Sequence, residues 1–227
     1  MITKKSPNVD LNDYALPNGM LLDKEIKKEI DDIRLIYQAA LREVGTKLEV
    51  LDDDFQIKNS YVPIHHLESR LKSVPSMIEK AERYGINDPI NNLDIVKKEI
   101  KDIAGIRVVC KYIDDLYTMS RYLLKQDDVE LICIKDYCKN PKESGYRSLH
   151  VVIAVPIFLL DKTLRVPVEI QFRTIAMDTW ASLEHELKYK NRGEITDELH
   201  GQLIDCANRL FEIDIKMEEI RKSINNM

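Results

Sequence analysis

The sequence predicts an α/β protein of the mixed α+β kind, with a central mixed sheet of about five strands between long N- and C-terminal helices. Three observations predict it. Helical apolar periodicity fills both ends of the chain, and β-branched runs bounded by turn residues fill the middle. Only seven Gly and eight Pro punctuate 227 residues, which favours long regular elements.

Residues 1–21 carry Pro, Asn and Gly and are expected as a loose arm. Ile26, Ile30, Ile33, Tyr37, Ala40, Val44, Leu48 and Leu51 then recur three and four apart, one stripe on a helix expected over 22–55. Residues 57–72, with Ile57, Tyr61, Val62 and Ile64, are expected as a strand or hairpin. Ser73 opens a helix that tolerates Pro75 in its first turn and ends near Gly85, and a short helix follows over about 92–101. Strands are expected over 105–112, 129–137, 149–159 and 164–172, the last two joined by a turn at Asp161-Lys162-Thr163. Helices are expected over 114–126 and 174–190. Leu199, Leu203, Cys206, Leu210, Ile213, Met217, Ile220 and Ile224 alternate intervals of four and three, a heptad seam within 193–227. The expected division is therefore arm 1–21, helix 22–55, core 56–192 and helix 193–227, in a single domain. The terminal helices can cover the sheet or meet another subunit, and covering the sheet is the simpler expectation.

With 44% hydrophobic and 32% charged residues, the chain has the balance of a packed soluble protein. A formal charge of −5 argues against nonspecific duplex-DNA binding, which needs a basic face, but leaves room for a local basic site. The four cysteines form no C-x-x-C and stand at no zinc spacing; Cys110 and Cys133 lie in apolar runs and are expected as buried thiols, which suits a reducing cytoplasm. The first residues lack the apolar stretch of a signal peptide. The longest apolar run, 151–160, has ten residues and contains Pro156, well short of the about 20 a membrane helix needs.

Walker A, dinucleotide-binding, nucleophile-elbow and H-E-x-x-H patterns are absent, and no His is followed by Asp. Phosphates, if bound, must be held by side chains. Four stretches carry polar residues where apolar ones would suffice. In Glu68-Ser-Arg-Leu-Lys-Ser, Arg70 and Lys72 share a strand face, and Lys80 and Arg83 share a helix face beyond; a solvated basic edge explains them equally well. Asp102 precedes, and Arg107 interrupts, an apolar strand, so each needs a partner or a cleft. Residues 135–150 hold Lys135, Lys139, Lys142 and Arg147 against Asp136 and Glu143, with Tyr146 on a glycine turn suited to stacking a base and His150 at the next strand. Glu169, Gln171 and Arg173 alternate with Val168, Ile170 and Phe172, and Asp178, Trp180, Glu184 and His185 follow on a helix. Together these supply two carboxylates, Asp102 and Glu169, among cations. That combination suits Mg²⁺ and a nucleotide substrate, because Mg²⁺ takes one or two carboxylates and completes its shell with water and phosphate.

The runs ESRLKS, DIAGIRVVC, KDYCKNPKESGYRSLH, VPVEIQFRT and AMDTWASLEHELKYK resemble, in order, the RelA/SpoT-type synthetase domain, and the layout resembles its small alarmone synthetases. The resemblance implies a nucleotidyltransferase-like synthetase core. It implies transfer of pyrophosphate from ATP to the 3′-hydroxyl of GDP or GTP, releasing AMP and giving (p)ppGpp in stringent-response signalling. Arg70 and Arg107 would sandwich adenine; Lys72, Ser76, Lys80 and Arg83 would hold ATP phosphates. Asp102 and Glu169 would hold Mg²⁺, and Glu169 would also act as general base. Tyr146 would stack on guanine, with Lys135, Lys142, His150, Gln171 and Asp178 around the acceptor. The chain departs from the family pattern at Ser144 and Asp178, where Asn is usual in long members and in near relatives respectively. A cytoplasmic homo-oligomer, a tetramer through the terminal helices, is implied as well, with no membrane or DNA partner and no indicated RNA. Two alternatives stay open: a relative that pyrophosphorylates tRNA ends, or a guanine-nucleotide or RNA sensor without strong catalysis.

Overall fold

The computed structural model describes residues 3–5, 23–190 and 196–225. Its elements are β1 (Thr3–Lys5), α1 (Lys24–Asn59), β2 (Ile64–Leu71), α2 (Val74–Arg83), α3 (Leu93–Glu99), β3 (Ala104–Cys110), α4 (Ile113–Leu123), β4 (Glu130–Asp136), β5 (Leu149–Phe158), β6 (Thr163–Thr174), α5 (Ile175–Lys190) and α6 (Asp197–Asn225). The sheet runs in the order β1-β2-β3-β6-β5-β4. Its two inner strands, β3 and β6, are parallel; β2–β3, β6–β5 and β5–β4 are antiparallel. The fold is thus mixed α/β with a long helix at each end, as expected.

Period-2 alternation splits β6 between two faces. Val166, Val168, Ile170 and Phe172 are buried on one face, against which α1 and α4 pack. From α1, Ile30, Ile33, Tyr37, Ala40, Val44 and Leu48 enter the same core, with Ile26 and Leu51 at its margin. Covering the sheet is therefore what α1 does. Each fully buried Leu or Ile there contributes about 1.5–3 kcal/mol, which stabilises α1 beyond its intrinsic propensity. The opposite face of β6 presents Glu169, Gln171 and Arg173.

Several expectations are corrected. A sixth strand, Thr3–Lys5, pairs parallel to β2 inside the stretch expected as a loose arm; the rest of that arm lies outside the described residues. Helix α1 continues to Asn59 and stops at Ser60, whose backbone is left-handed (φ 51°), so Ile57 belongs to an exposed helical turn rather than to a strand or hairpin. Cys133 is only half-buried because β4 is an edge strand; Cys138 is buried instead, alongside Cys110. In α6, the seam residues Leu199, Ile213, Met217, Ile220 and Ile224 stay exposed, while Leu203, Ala207, Leu210 and Phe211 pack inward and polar contacts complete the docking. Among these, Thr174 Oγ1 donates to Asp214 (2.5 Å), the Asp114 amide to Glu218 (3.0 Å), and Arg221 to Asp115 (3.1 Å). No described helix is long and apolar enough to cross a membrane.

Candidate active site

Strand register assembles the site. Arg70, Gly105 and Glu169 pair in one row across β2, β3 and β6. Glu68, Arg107, Gln171, His150 and Lys135 pair in the next row, which continues across β5 and β4. Residues opposite one another share a face, so both rows project together. Gly105 leaves space in the first row, its virtual Cβ reaching only backbone oxygens of Arg70 (3.8 Å) and Glu169 (3.9 Å). The result is a cleft lined by Glu68, Arg70, Lys72, Asp102, Gly105, Ile106, Arg107, Glu169 and Gln171.

Asp102, between α3 and β3, is the electrostatic centre of the cleft's lysine-lined side. Its Oδ2 meets Lys72 Nζ at 3.1 Å and Lys80 Nζ at 2.9 Å. Burial pulls Lys80 down, but the hydrogen bond and charge of Asp102 outweigh it and hold the ammonium above its ordinary value. Asp102 Oδ1 is buried with no hydrogen-bond partner. A buried carboxylate oxygen without a donor is a ligand position for a hard cation. Among the described residues, no three His, Cys, Asp or Glu side chains gather at ligating range. A divalent cation held by Asp102, with Glu169 in the same cleft, would therefore leave most of its shell to water and phosphate.

Glu169 is held from two sides. Gln171 Nε2 donates to its Oε2 (2.8 Å), and His150 Nδ1 lies 3.4 Å from its Oε1. Burial pushes its carboxyl up, but His150, Gln171 and Lys80 together outweigh burial and set it at about 2. The other ring nitrogen of His150 hydrogen-bonds the Tyr146 hydroxyl at 2.8 Å. Tyr146 sits on a turn closed by Gly145 N–H to the Lys142 carbonyl (2.8 Å), and Lys142 Nζ lies 5.0 Å from its ring centroid. Gly145 has φ +88°, and a Cβ there would lie 2.9 Å from Ala207 Cβ, so α6 presses on this turn and only glycine fits.

Most of the expected residues converge. Arg70, Lys72, Asp102, Arg107, Glu169 and Gln171 line the cleft, and Lys80 reaches into it through Asp102. Ser76 is in the first turn of α2, where Ser73 Oγ donates to its Oγ (2.9 Å). Tyr146, Lys142 and His150 form an adjoining aromatic and cationic group, and Lys135 stands exposed on β4 opposite His150. Arg83 is not brought in: it is two-thirds exposed at the end of α2 and pairs with Glu79 of its own helix (3.9 Å). Asp178 faces two arginines, Arg173 (3.0 Å) and Arg107 (3.3 Å). Two site members were given no role by the sequence. Glu68 accepts from Arg107 (2.9 Å), and Arg173, 6% exposed, joins Asp178, Gln171 and Tyr146. Their only signal was two-residue spacing from Arg70 and Gln171, which places them on the polar face.

A mixed sheet that gathers two carboxylates, a cluster of cations and a tyrosine–histidine pair around one cleft has the residue types of a nucleotide-handling transferase core. The family model described as "Region found in RelA / SpoT proteins" matches residues 69–194. The chain belongs to this RelA/SpoT family. It is 35% identical over 202 residues to the GTP pyrophosphokinase YwaC of Bacillus subtilis, covering 89% of this chain and 95% of that one. It is 34% identical over 188 residues to the GTP pyrophosphokinase YjbM of the same organism, covering 83% and 86%. Among solved structures, small alarmone synthetase 1 of B. subtilis bound to its product pppGpp matches with TM-score 0.79 and 32% identity, covering 87% of this chain and 98% of that one. Small alarmone synthetase 2 of B. subtilis matches with TM-score 0.75 and 37% identity, covering 83% and 97%.

Proposed function

We propose that this protein is a GTP/GDP pyrophosphokinase that makes (p)ppGpp, moving pyrophosphate from ATP to the 3′-hydroxyl of a guanine nucleotide and releasing AMP. The observation that carries the reading is the Arg70–Gly105–Glu169 row beside Asp102, set within a chain aligned almost end to end with two GTP pyrophosphokinases.

The acceptor 3′-oxygen attacks the β-phosphorus of ATP, the bond from Pβ to the α-phosphate oxygen breaks, and AMP leaves. Glu169 takes the hydroxyl proton as the new bond forms. A carboxyl held at about 2 is ionised throughout the physiological range, so no proton has to leave it before it can accept one. Its basicity rises when ATP phosphates draw Lys80 away, since Lys80 is one of the charges that depress it. Lys72, Lys80 and the first turn of α2, with Ser76, take the phosphate charge. Arg70 and Arg107 clasp adenine through their guanidinium planes. Tyr146 stacks on guanine, while Lys135, Lys142, His150 and Gln171 position the acceptor ribose and phosphates. Arg83, turned outward, has no direct part until the phosphates arrive. Asp102 and Glu169 would hold Mg²⁺, which when bound would neutralise charge on the transferred group and on the leaving AMP.

The exposed residues of the α6 seam support a homo-oligomer; its being a tetramer and its cytoplasmic location follow from the family resemblance. The test is to incubate purified protein with γ-labelled ATP, Mg²⁺ and GDP, GTP, GMP or tRNA. Label is expected in ppGpp or pppGpp, with AMP in equal amount. Label on tRNA, or released as free phosphate, would reject the reading.

A further inference from the structure

Arg173 takes no direct part in that chemistry, yet it is the best-connected side chain of the site. Its guanidinium meets Asp178 Oδ1 at 3.0 Å, Gln171 Oε1 at 2.9 Å and the Tyr146 hydroxyl at 2.8 Å. It also lies 5.1 Å from the Tyr146 ring centroid. A guanidinium only 6% exposed is costly unless paired, so these three acceptors and Arg173 fix one another. Asp178 is shared, because the same Oδ1 lies 3.3 Å from Arg107 Nε. That arm is a charge contact without a hydrogen bond, since Arg107 Nε has no hydrogen-bond partner. It is therefore the arm more easily released. Arg107 belongs to the donor side of the cleft, whereas Tyr146 and Gln171 belong to the acceptor side.

We propose that Arg107–Asp178–Arg173 is a coupling element between the two nucleotide subsites, with Arg173 as a positioning residue. This rests on the pyrophosphokinase reading above. When Arg107 turns to adenine, its hold on Asp178 lapses and Oδ1 is left to Arg173. A carboxylate shared by two cations holds each less firmly than a carboxylate held by one. ATP therefore stiffens Arg173 and, through it, Tyr146 and Gln171. The guanine nucleotide binds more tightly to the ATP-loaded protein, and by linkage ATP binds more tightly to the guanine-loaded protein by the same factor.

The experiment is calorimetric titration of GDP into the intact protein, with and without a non-transferable ATP analogue, repeated for Asp178→Asn and Arg173→Lys. In the unaltered protein the analogue is expected to tighten GDP binding about fivefold or more. In Asp178→Asn, which keeps side-chain size, that factor, read as the ratio of GDP affinities with and without the analogue in the same variant, is expected to fall below about twofold. Thermal melts establish that each variant is folded, and should Arg173→Lys not fold, Asp178→Asn carries the test. An unchanged factor in Asp178→Asn would overturn the inference, as would an unaltered protein that makes (p)ppGpp with no coupling at all. An unaltered protein that makes no (p)ppGpp would remove the activity itself and the inference with it.

Discussion

Tyr146 is tied down at its hydroxyl end by His150 and Arg173, each at 2.8 Å, while its ring is only half-buried. The two ends separate in mutants. Tyr146→Ala removes the stacking surface and is expected to raise KM for the guanine nucleotide about 10-fold or more, as loss of one base–aromatic stack does. Tyr146→Phe keeps the ring, loses the anchor, and is expected to cost less in KM. Steady-state kinetics with each substrate varied in turn checks this, and a change confined to the ATP KM would reassign Tyr146. The site residues on β2, β3 and β6 were legible in the sequence because each is a polar residue that interrupts an apolar strand. Arg173 lay on the same alternating face, but its role depends on Asp178 arriving from α5 and Tyr146 from the β4–β5 turn. Those contacts are tertiary and no local pattern encodes them.

At the level of elements, α6 clamps the turn that carries Tyr146 and the end of β6. Gly145 lies beneath it, and Asp214 is held against Thr174. Burial raises the Asp214 carboxyl to about 6, with Glu218 adding to the rise and the Thr174 hydroxyl opposing it. The folded protein then keeps a proton that the unfolded chain loses near pH 4. Stability from this group is complete below about pH 4 and is lost as pH rises to about 6, on the order of 2 kcal/mol. Asp214→Asn preserves the acceptor for Thr174 and removes the penalty. It is expected to raise the melting temperature at pH 7.5 and leave it nearly unchanged at pH 4; equal shifts at both would exclude titration as the cause. Most elements were legible from periodicity, since buried stripes of period 3.6 or 2 leave a clear trace, as in α1 and β6. Ile57 misled because a β-branched residue in an exposed last helical turn looks like a strand signal. The pairing of Thr3–Lys5 with β2 was not legible because three residues carry no period.

Across the whole molecule, charge is sorted rather than uniform. The chain is acidic at −5, yet Lys72, Lys80, Arg70, Arg107 and Arg173 stand on or beside one cleft. That distribution suits two small anions better than a long one. The α6 seam was legible as a heptad, but its destination was not, because a seam reads the same whether its partner is the core or another chain. We expect light scattering to give four times the 26.4 kDa chain mass, and Ile213→Glu with Met217→Glu to lower it. An unchanged mass in that double variant would place the subunit contact elsewhere. The central claim is that Glu169 takes the proton of the acceptor hydroxyl, and Glu169→Gln tests it most directly. With folding confirmed by circular dichroism and nucleotide affinities by titration, (p)ppGpp synthesis is expected to fall at least about 100-fold. Near-wild-type transfer by that variant would contradict the account.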